Sequence, residues 1–566
     1  MPRPDSGMRK LQFQVLYRQF LFRIVDPELL SGHAQGDANT LLGQFAALLI
    51  TVSLAFTIAA LAIGGARMTP FVRLLVNLGY SHLLISTTML AVGLFAVLSW
   101  DSTFPDRRDV FVLAPLPVRS SMLFLAKTAA SVTVFGLVIA LLNSLCGLFW
   151  PFAMGNGIRS FAAYWTVVFA SGTFVYCSVL CVQGLAAHLL PRRWFLRLSA
   201  FLQIGVFCLF VSVYFLQPPF ASISEILDPK NQRWFPWLPS YWFLGALQQC
   251  NGTQQAILAP LARRAWMGLA IAVGGSAVTF LLSWFRTLRR IAEQADIVPG
   301  VRGVPLPRFG KSWQTAIVQF SIRSFLRSRQ HRLILAFYLG IGFALVIFLM
   351  KSPEARGQML AASSLVNGPV LASTIVMLGF WMLGIRVLFS RPLDIGANWI
   401  FQITPAPLVS EWLAANRRSL FVLALGPWLT IAAAFLFSFW PWRPAAGHLI
   451  VLGFLGVILA DLCLYEFRKI PFTCSYLPGR SNIHVSFILC IVFIVEIIYD
   501  GARLELTALG NGVRYAYLVS TLCLAALLAR WRASPSKWEA RNVEFEEVPP
   551  WSVISLGLPR DGGVKE

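Results

Sequence analysis

Long apolar runs recur along this 566-residue chain, each separated from the next by a polar interval. About twelve are long enough to cross ~30 Å of hydrocarbon at ~1.5 Å per residue. In the first half they lie near residues 41–63, 79–100, 128–150, 161–189, 198–217 and 265–285. In the second half they lie near 333–350, 368–390, 419–440, 447–466, 483–500 and 513–530. The pattern predicts an all-α polytopic membrane protein built as two six-helix units. An even span number per unit makes the repeats parallel rather than inverted. The expected order is an N-terminal segment (1–40), a first unit (41–285), a linker region (286–332), a second unit (333–530) and a tail (531–566).

The polar intervals repeat as well. After the second run of each half comes Pro-x-Pro with a basic residue ten positions beyond the second proline: Pro115, Pro117 and Lys127, then Pro405, Pro407 and Arg417. Ahead of the first run of each half stands Gln-x-x-x-Arg-x-Phe-Leu, as Gln14, Arg18, Phe20 and Leu21, and as Gln319, Arg323, Phe325 and Leu326. In the second copy Trp313, Ile317 and Phe320 form an apolar stripe, with Gln314, Arg323 and Arg327 off it. Such helices are expected to lie flat in the interface, arginines reaching headgroups. Between the halves, 286–311 is basic and rich in Pro and Gly, the composition of an extended linker.

Composition agrees with the apolar pattern and changes one reading. The chain is 57% apolar and 13% charged, with a net charge of +22 that invites a nucleic-acid function. Its distribution argues otherwise: about 35 of the 47 Lys and Arg fall on one side of the alternating topology and about 12 on the other. That bias places both termini in the cytosol and assigns the charge to topology and headgroup contact, with no nucleic-acid partner. The first apolar run starts after about forty residues and lacks a small-residue cleavage site, so no removable signal peptide is expected. The nine cysteines mostly fall inside runs and form no C-x-x-C pair.

Chemistry-bearing constellations are few. Gly310-Lys311-Ser312 has Pro305 where a phosphate-binding loop needs glycine, and no strand precedes it. The six histidines are scattered without metal-ligand spacing, so no metal and no catalytic residue are expected. The interval 218–264 carries Trp234, Trp237, Tyr241 and Trp242, whose amphipathic rings favour the outer headgroup layer. The matching interval in the second half, Asp500 to Asn511, reads as a short turn. Among acidic residues within runs, Asp461 is the intramembrane polar candidate.

The interval after the second run carries the strongest signal. Asp106, Arg107, Arg108 and Asp109 precede a short apolar stretch around Leu113, which Pro115 and Pro117 stop before Arg119 and Lys127 lead into the third run. A short proline-bounded helix is a lever suited to a partner's groove. With the interfacial helix before the first run, these features resemble the type 2 class of ABC exporter permeases. The resemblance covers the first half well. The second half departs from it: the segment from Asn398 to Phe401 replaces the charged patch.

The resemblance implies a fused double permease energised by a separate cytosolic ABC ATPase, expected in two copies. The ATPase would dock at the first-half element and at Asn398, Phe401, Pro405, Pro407 and Arg417. ATP would be used by that partner, and this chain would bind no cofactor. A partly re-entrant segment is implied between the fifth and sixth spans, and a second contact loop is expected at Arg468–Gly479. The expected residence is the bacterial cytoplasmic membrane. Two other readings stand beside it: an ion-coupled secondary transporter with Asp461 as coupling site, and a polytopic enzyme acting on lipid.

Overall fold

The computed structural model describes residues 6–25, 38–65, 67, 69–100, 118–190, 192–217, 233–252, 258–293, 307–351, 366–392, 409–465, 467, 469–473 and 497–532. The chain divides into two compact units, Met1–Gly303 and Val304–Glu566, with the boundary inside the expected linker. Among the described residues every regular element is helical. A spanning helix satisfies its own backbone hydrogen bonds, which lipid cannot do. Among the described residues ten helices are long and apolar enough to cross a membrane, and a shorter apolar helix, Phe201–Leu216, stands where the fifth span was expected. The expected eleventh span lies mostly outside the described residues.

In the first unit α1 (Ser6–Val25) precedes α2 (Ala38–Gly65), α3 (Pro70–Leu98), α4 (Ser120–Met154), α5 (Gly157–Leu189) and α6 (Arg192–Leu216). A short helix, α7 (Pro239–Asn251), then leads to α8 (Ala259–Glu293). Thr69 caps α3 and Pro70 occupies its first turn, where a missing N–H costs nothing. Between α4 and α5 the chain reverses through Gly155, Asn156 and Gly157, with φ of 80°, 64° and 52°. Two of these three left-handed positions are glycine, which adopts that conformation without a Cβ penalty. α5 and α8 approach closely at Gly184, where a Cβ would come within 3.1 Å of the Thr279 backbone. Ser283 of α8 donates to the Gly184 carbonyl at 2.7 Å across the same contact.

The second unit runs α9 (Ser312–Arg327), α10 (Arg329–Met350), α11 (Gly368–Phe389), α12 (Val409–Leu420), α13 (Gly426–Phe439) and α14 (Trp442–Cys463). A helical stretch at 497–509 and α15 (Gly512–Arg532) complete it. α12 and α13 form one span through a wider π-type turn at Phe421–Leu425. Pro427 follows that turn and cannot donate to the carbonyl four residues back. That carbonyl, of Leu423, accepts instead from the Trp381 indole of α11 at 3.0 Å.

Three packing relations occur in both units. The helix before the spans lies on the third span (α1 on α4, α9 on α12), the second span lies on the fourth (α3 on α5, α11 on α14), and the fourth lies on the sixth (α5 on α8, α14 on α15).

Two expectations are corrected. The short turn expected at Asp500–Asn511 is instead helical through residue 509. Ile498, Ala502, Leu506 and Leu509 recur at helical spacing and pack against Leu371, Ala372 and Val376 of α11. Gln314, expected on the polar face of its helix, is buried. It accepts from Arg418 of α12, so its amide oxygen is satisfied inside the unit.

Candidate functional site

The loop after the second span, 101–117, and the corresponding loop 393–408 lie outside the described residues. Asp106, Arg107, Arg108, Asp109, Leu113, Pro115 and Pro117, with Asn398, Phe401, Pro405 and Pro407, therefore lie outside them too. The helix ends from which both loops spring are described.

The last turn of a helix leaves carbonyls without intrahelical partners. At the end of α3, Gln183 of α5 donates to the Trp100 carbonyl and Gln203 of α6 to the Val97 carbonyl, each at 2.6 Å. The Trp100 indole donates to Ser199 of α6 at 3.1 Å. All four side chains are buried. Buried amides are costly unless bonded, so these contacts tie the loop's departure point to two other spans.

The chain returns at α4. Arg119 is exposed at its start, and its carbonyl accepts from the Met122 and Leu123 N–H groups at 2.9 and 3.2 Å. Lys127 is buried, with Nζ 5.4 Å from the Phe20 ring of α1 and 5.9 Å from the Trp284 ring of α8. It faces the bundle, in cation–π geometry with both rings. Tyr17 of α1 donates to Thr133 of α4 at 3.1 Å, holding the two helices together.

The second unit braces its loop with different residues. The Phe389 carbonyl at the end of α11 accepts from the Phe472 N–H at 3.1 Å, and the Arg391 carbonyl accepts from His331 Nε2 at 3.0 Å. Burial lowers the pKa of the Arg391 guanidinium below its ordinary value. Where the chain returns, Ile317 of α9 and Ile470 pack on Trp412 and Ala415 of α12. Lys311 pairs with Glu411, and Arg418 donates to the Phe309 carbonyl at 2.7 Å. Asn416 donates to the Lys469 carbonyl at 3.2 Å, so part of the expected second contact loop lies on this helix.

Arg417 reaches α14. It forms an ion pair with Asp461 at 3.0 Å, with side chains 14% and 5% exposed, and its guanidinium lies 5.2 Å from the Phe421 ring. Two residues singled out separately in the sequence are thus partners.

At the opposite end of the first unit, α7 is tucked among α3, α5 and α8. Of the four aromatic residues expected in the outer headgroup layer, Trp234 and Trp237 are exposed. Tyr241 is fully buried, stacked between His82 and Phe235 with ring centroids at 4.3 Å from each. Trp242 is half-buried and donates to the Pro236 carbonyl at 2.9 Å. His82 meets Ser240 of α7 at 3.0 Å, and Ser240 donates to Gln217 at 3.0 Å.

One polar cluster had no signal in the sequence pattern. Thr374 of α11, His448 of α14 and Glu505 of the 497–509 stretch form a buried chain. Thr374 Oγ1 lies 2.6 Å from His448 Nε2, and His448 Nδ1 lies 2.7 Å from Glu505 Oε1. The partners are far apart in sequence, and Glu505 sits in a stretch too polar to read as a span. Among the described residues no group of His, Cys, Asp or Glu could hold a metal ion.

Set against family models, characterised proteins and solved structures, the chain matches none.

Proposed function

We propose that this chain is the membrane-spanning subunit of an ATP-driven exporter, energised by a separate cytosolic ABC ATPase that docks on the loops 101–117 and 393–408. One observation carries the reading: in each unit both ends of that loop are braced against neighbouring helices. In the first unit the departing end is held by Gln183 and Gln203, and the returning helix α4 is clasped by α1. In the second unit His331 and Phe472 hold the departing end, and α9 clasps α12. A push on such a loop moves several helices together.

The paired packing supports descent of both units from one duplicated six-span element. The excess of Lys and Arg on the loops' side supports a cytosolic position for them. ATP-driven closure of the partner would tilt the braced loops and shift the spans between two arrangements. The chemistry of hydrolysis would belong to the partner. A bacterial cytoplasmic membrane is the proposed residence, with lipid as the surrounding partner.

The test is co-purification in mild detergent. A P-loop ATPase is expected to accompany the wild-type protein and to change its hydrolysis rate on binding. Pro115→Ala with Pro117→Ala is expected to weaken the association at least tenfold while leaving the helical content intact. Retention of the ATPase by that variant would remove the docking assignment, and its absence from the wild-type protein under several detergents would remove the exporter reading. A second reading, ion-coupled transport, is favoured by one feature alone, the buried Thr374–His448–Glu505 chain.

A further inference from the structure

We propose that Thr374, His448 and Glu505 form an intramembrane proton-binding site, which takes up and releases one proton without movement of a heavy atom. The inference concerns proton binding itself and holds whether transport is driven by ATP or by an ion gradient.

The argument follows from counting hydrogens. The Thr374 hydroxyl has one hydrogen and two neighbours, the Leu371 carbonyl at 2.7 Å and His448 Nε2 at 2.6 Å. When it donates to Leu371, the short contact with Nε2 requires a hydrogen on that nitrogen. The 2.7 Å contact between His448 Nδ1 and Glu505 Oε1 then needs a second hydrogen, carried on either atom. Histidine and glutamate together are then neutral, and this is the loaded state.

In the released state the hydroxyl turns to donate to Nε2 and gives up Leu371. The one imidazole hydrogen sits on Nδ1 and points at the carboxylate, so the pair carries one negative charge. Both short contacts keep a hydrogen in either state. The difference is one proton and one rotated hydroxyl. Imidazole suits this role because both of its nitrogens can hold the exchanging hydrogen.

The surroundings make the exchange consequential. His448 and Glu505 side chains are 0% and 2% exposed. Glu505 Oε2 is buried and has no hydrogen-bond partner among the described residues. A carboxylate oxygen without solvent or a donor is costly, so the charge that Glu505 carries matters to the packing around it.

The chain Thr–His–Glu also has the order of a nucleophile, a base and an acid. Thr374 is only 6% exposed, however, and its hydroxyl is engaged by its own helix at Leu371, so no face is open to a substrate.

Of the other ionisable groups, Tyr515 of α15 lies close enough to Glu505 to interact with it electrostatically, and the charged ones stand back. Tyr515 of α15 donates to the Gly447 carbonyl at 2.9 Å, beside His448. Asp500 and Arg503 lie 3.9 Å apart on the exposed side of their helix. Arg443 lies over Trp442, Arg514 is exposed, and Lys351 stands at the end of α10. α13, whose Trp428 indole donates to the Thr374 carbonyl at 3.1 Å, carries no charged residue.

The test uses the full-length protein with ring-15N histidine in lipid nanodiscs, read by long-range proton–nitrogen correlation. Six histidines give a small spectrum, and His448 is assigned by substituting each of the others in turn. Its nitrogen shifts are expected to move between two limits across the pH range in which the protein stays folded. That movement is expected to be lost in Glu505→Gln. Fixed shifts across the whole range in the wild type would overturn the proposal, and this measurement does not depend on whether the Glu505 variant folds. An unchanged transition in a folded Glu505→Gln protein would also overturn it, because the site would then not include the carboxylate.

Discussion

Arg417 and Asp461 show how differently a buried pair and a buried single charge behave. Their 3.0 Å contact is nearly shielded from solvent. Removal of Asp461 leaves Arg417 facing the like charge of Arg530, and removal of Arg417 leaves Asp461 with Arg530 as its counter-charge but without its close ion pair. Asp461→Asn or Arg417→Met is therefore expected to cost about 3–5 kcal/mol, read as a lowered midpoint in mixed-micelle unfolding. The double variant Arg417→Met with Asp461→Leu removes both charges and is expected to stay within about 1–2 kcal/mol of the wild type. Additive losses in the double variant would show that the two residues are not coupled. Each was visible in the sequence, Asp461 as an acid within an apolar run and Arg417 through its repeated spacing from Pro407. Their partnership was not, because it depends on how α12 and α14 pack. The same holds for His448, whose acidic partner lies 57 residues away in sequence.

The short helices before the last span of each unit show where apolar pattern stops being informative. Spans announce themselves by length and hydropathy, since lipid demands both. A 13-residue helix such as α7 has neither requirement, and its place is set by fit. Gly245 supplies part of that fit: a Cβ there would stand 2.6 Å from the Leu258 carbonyl and 3.0 Å from the Ala262 nitrogen. Backbone cannot swing aside as a side-chain tip can, so α7 must shift away from the start of α8. Gly245→Ala is accordingly expected to destabilise the first unit by about 1–3 kcal/mol, measured as a lower thermal midpoint of the detergent-solubilised protein. An unchanged midpoint would mean that α7 is not held against α8 at this spacing. The 497–509 helix was missed for a related reason. Asp500, Arg503 and Glu505 break its apolar run, although Ala502, Leu506 and Leu509 keep the helical period on its packed face.

Orientation decides which mechanisms are open to the whole chain. On the exporter reading proposed above, a lever that answers to ATP must stand where the nucleotide is, so the braced ends of both loops are expected to face the cytosol. The charge bias argues for that side, because Lys and Arg next to spans are retained where the chain is inserted from. Two exposed positions near the loops, Arg119 and Arg308, and one at the far end, Trp237, allow a direct check. In a background without native cysteines, Trp237→Cys is expected to react with a membrane-impermeant thiol reagent in intact cells. Arg119→Cys and Arg308→Cys are expected to react only after permeabilisation. The reverse pattern would place both loops outside, beyond the reach of any cytosolic ATPase. The exporter reading would then fall whatever co-purified with the protein. The proton site would survive that reversal, since the Thr374–His448–Glu505 chain needs only a buried position between helices. His448 lies six residues into α14, about 9 Å along its axis, whereas Asp461 lies about 20 Å further on, near the loop-bearing end. Labelling of Arg308→Cys, in the same unit, therefore also fixes which aqueous phase the proton site lies nearer, the external one if that position reacts only after permeabilisation.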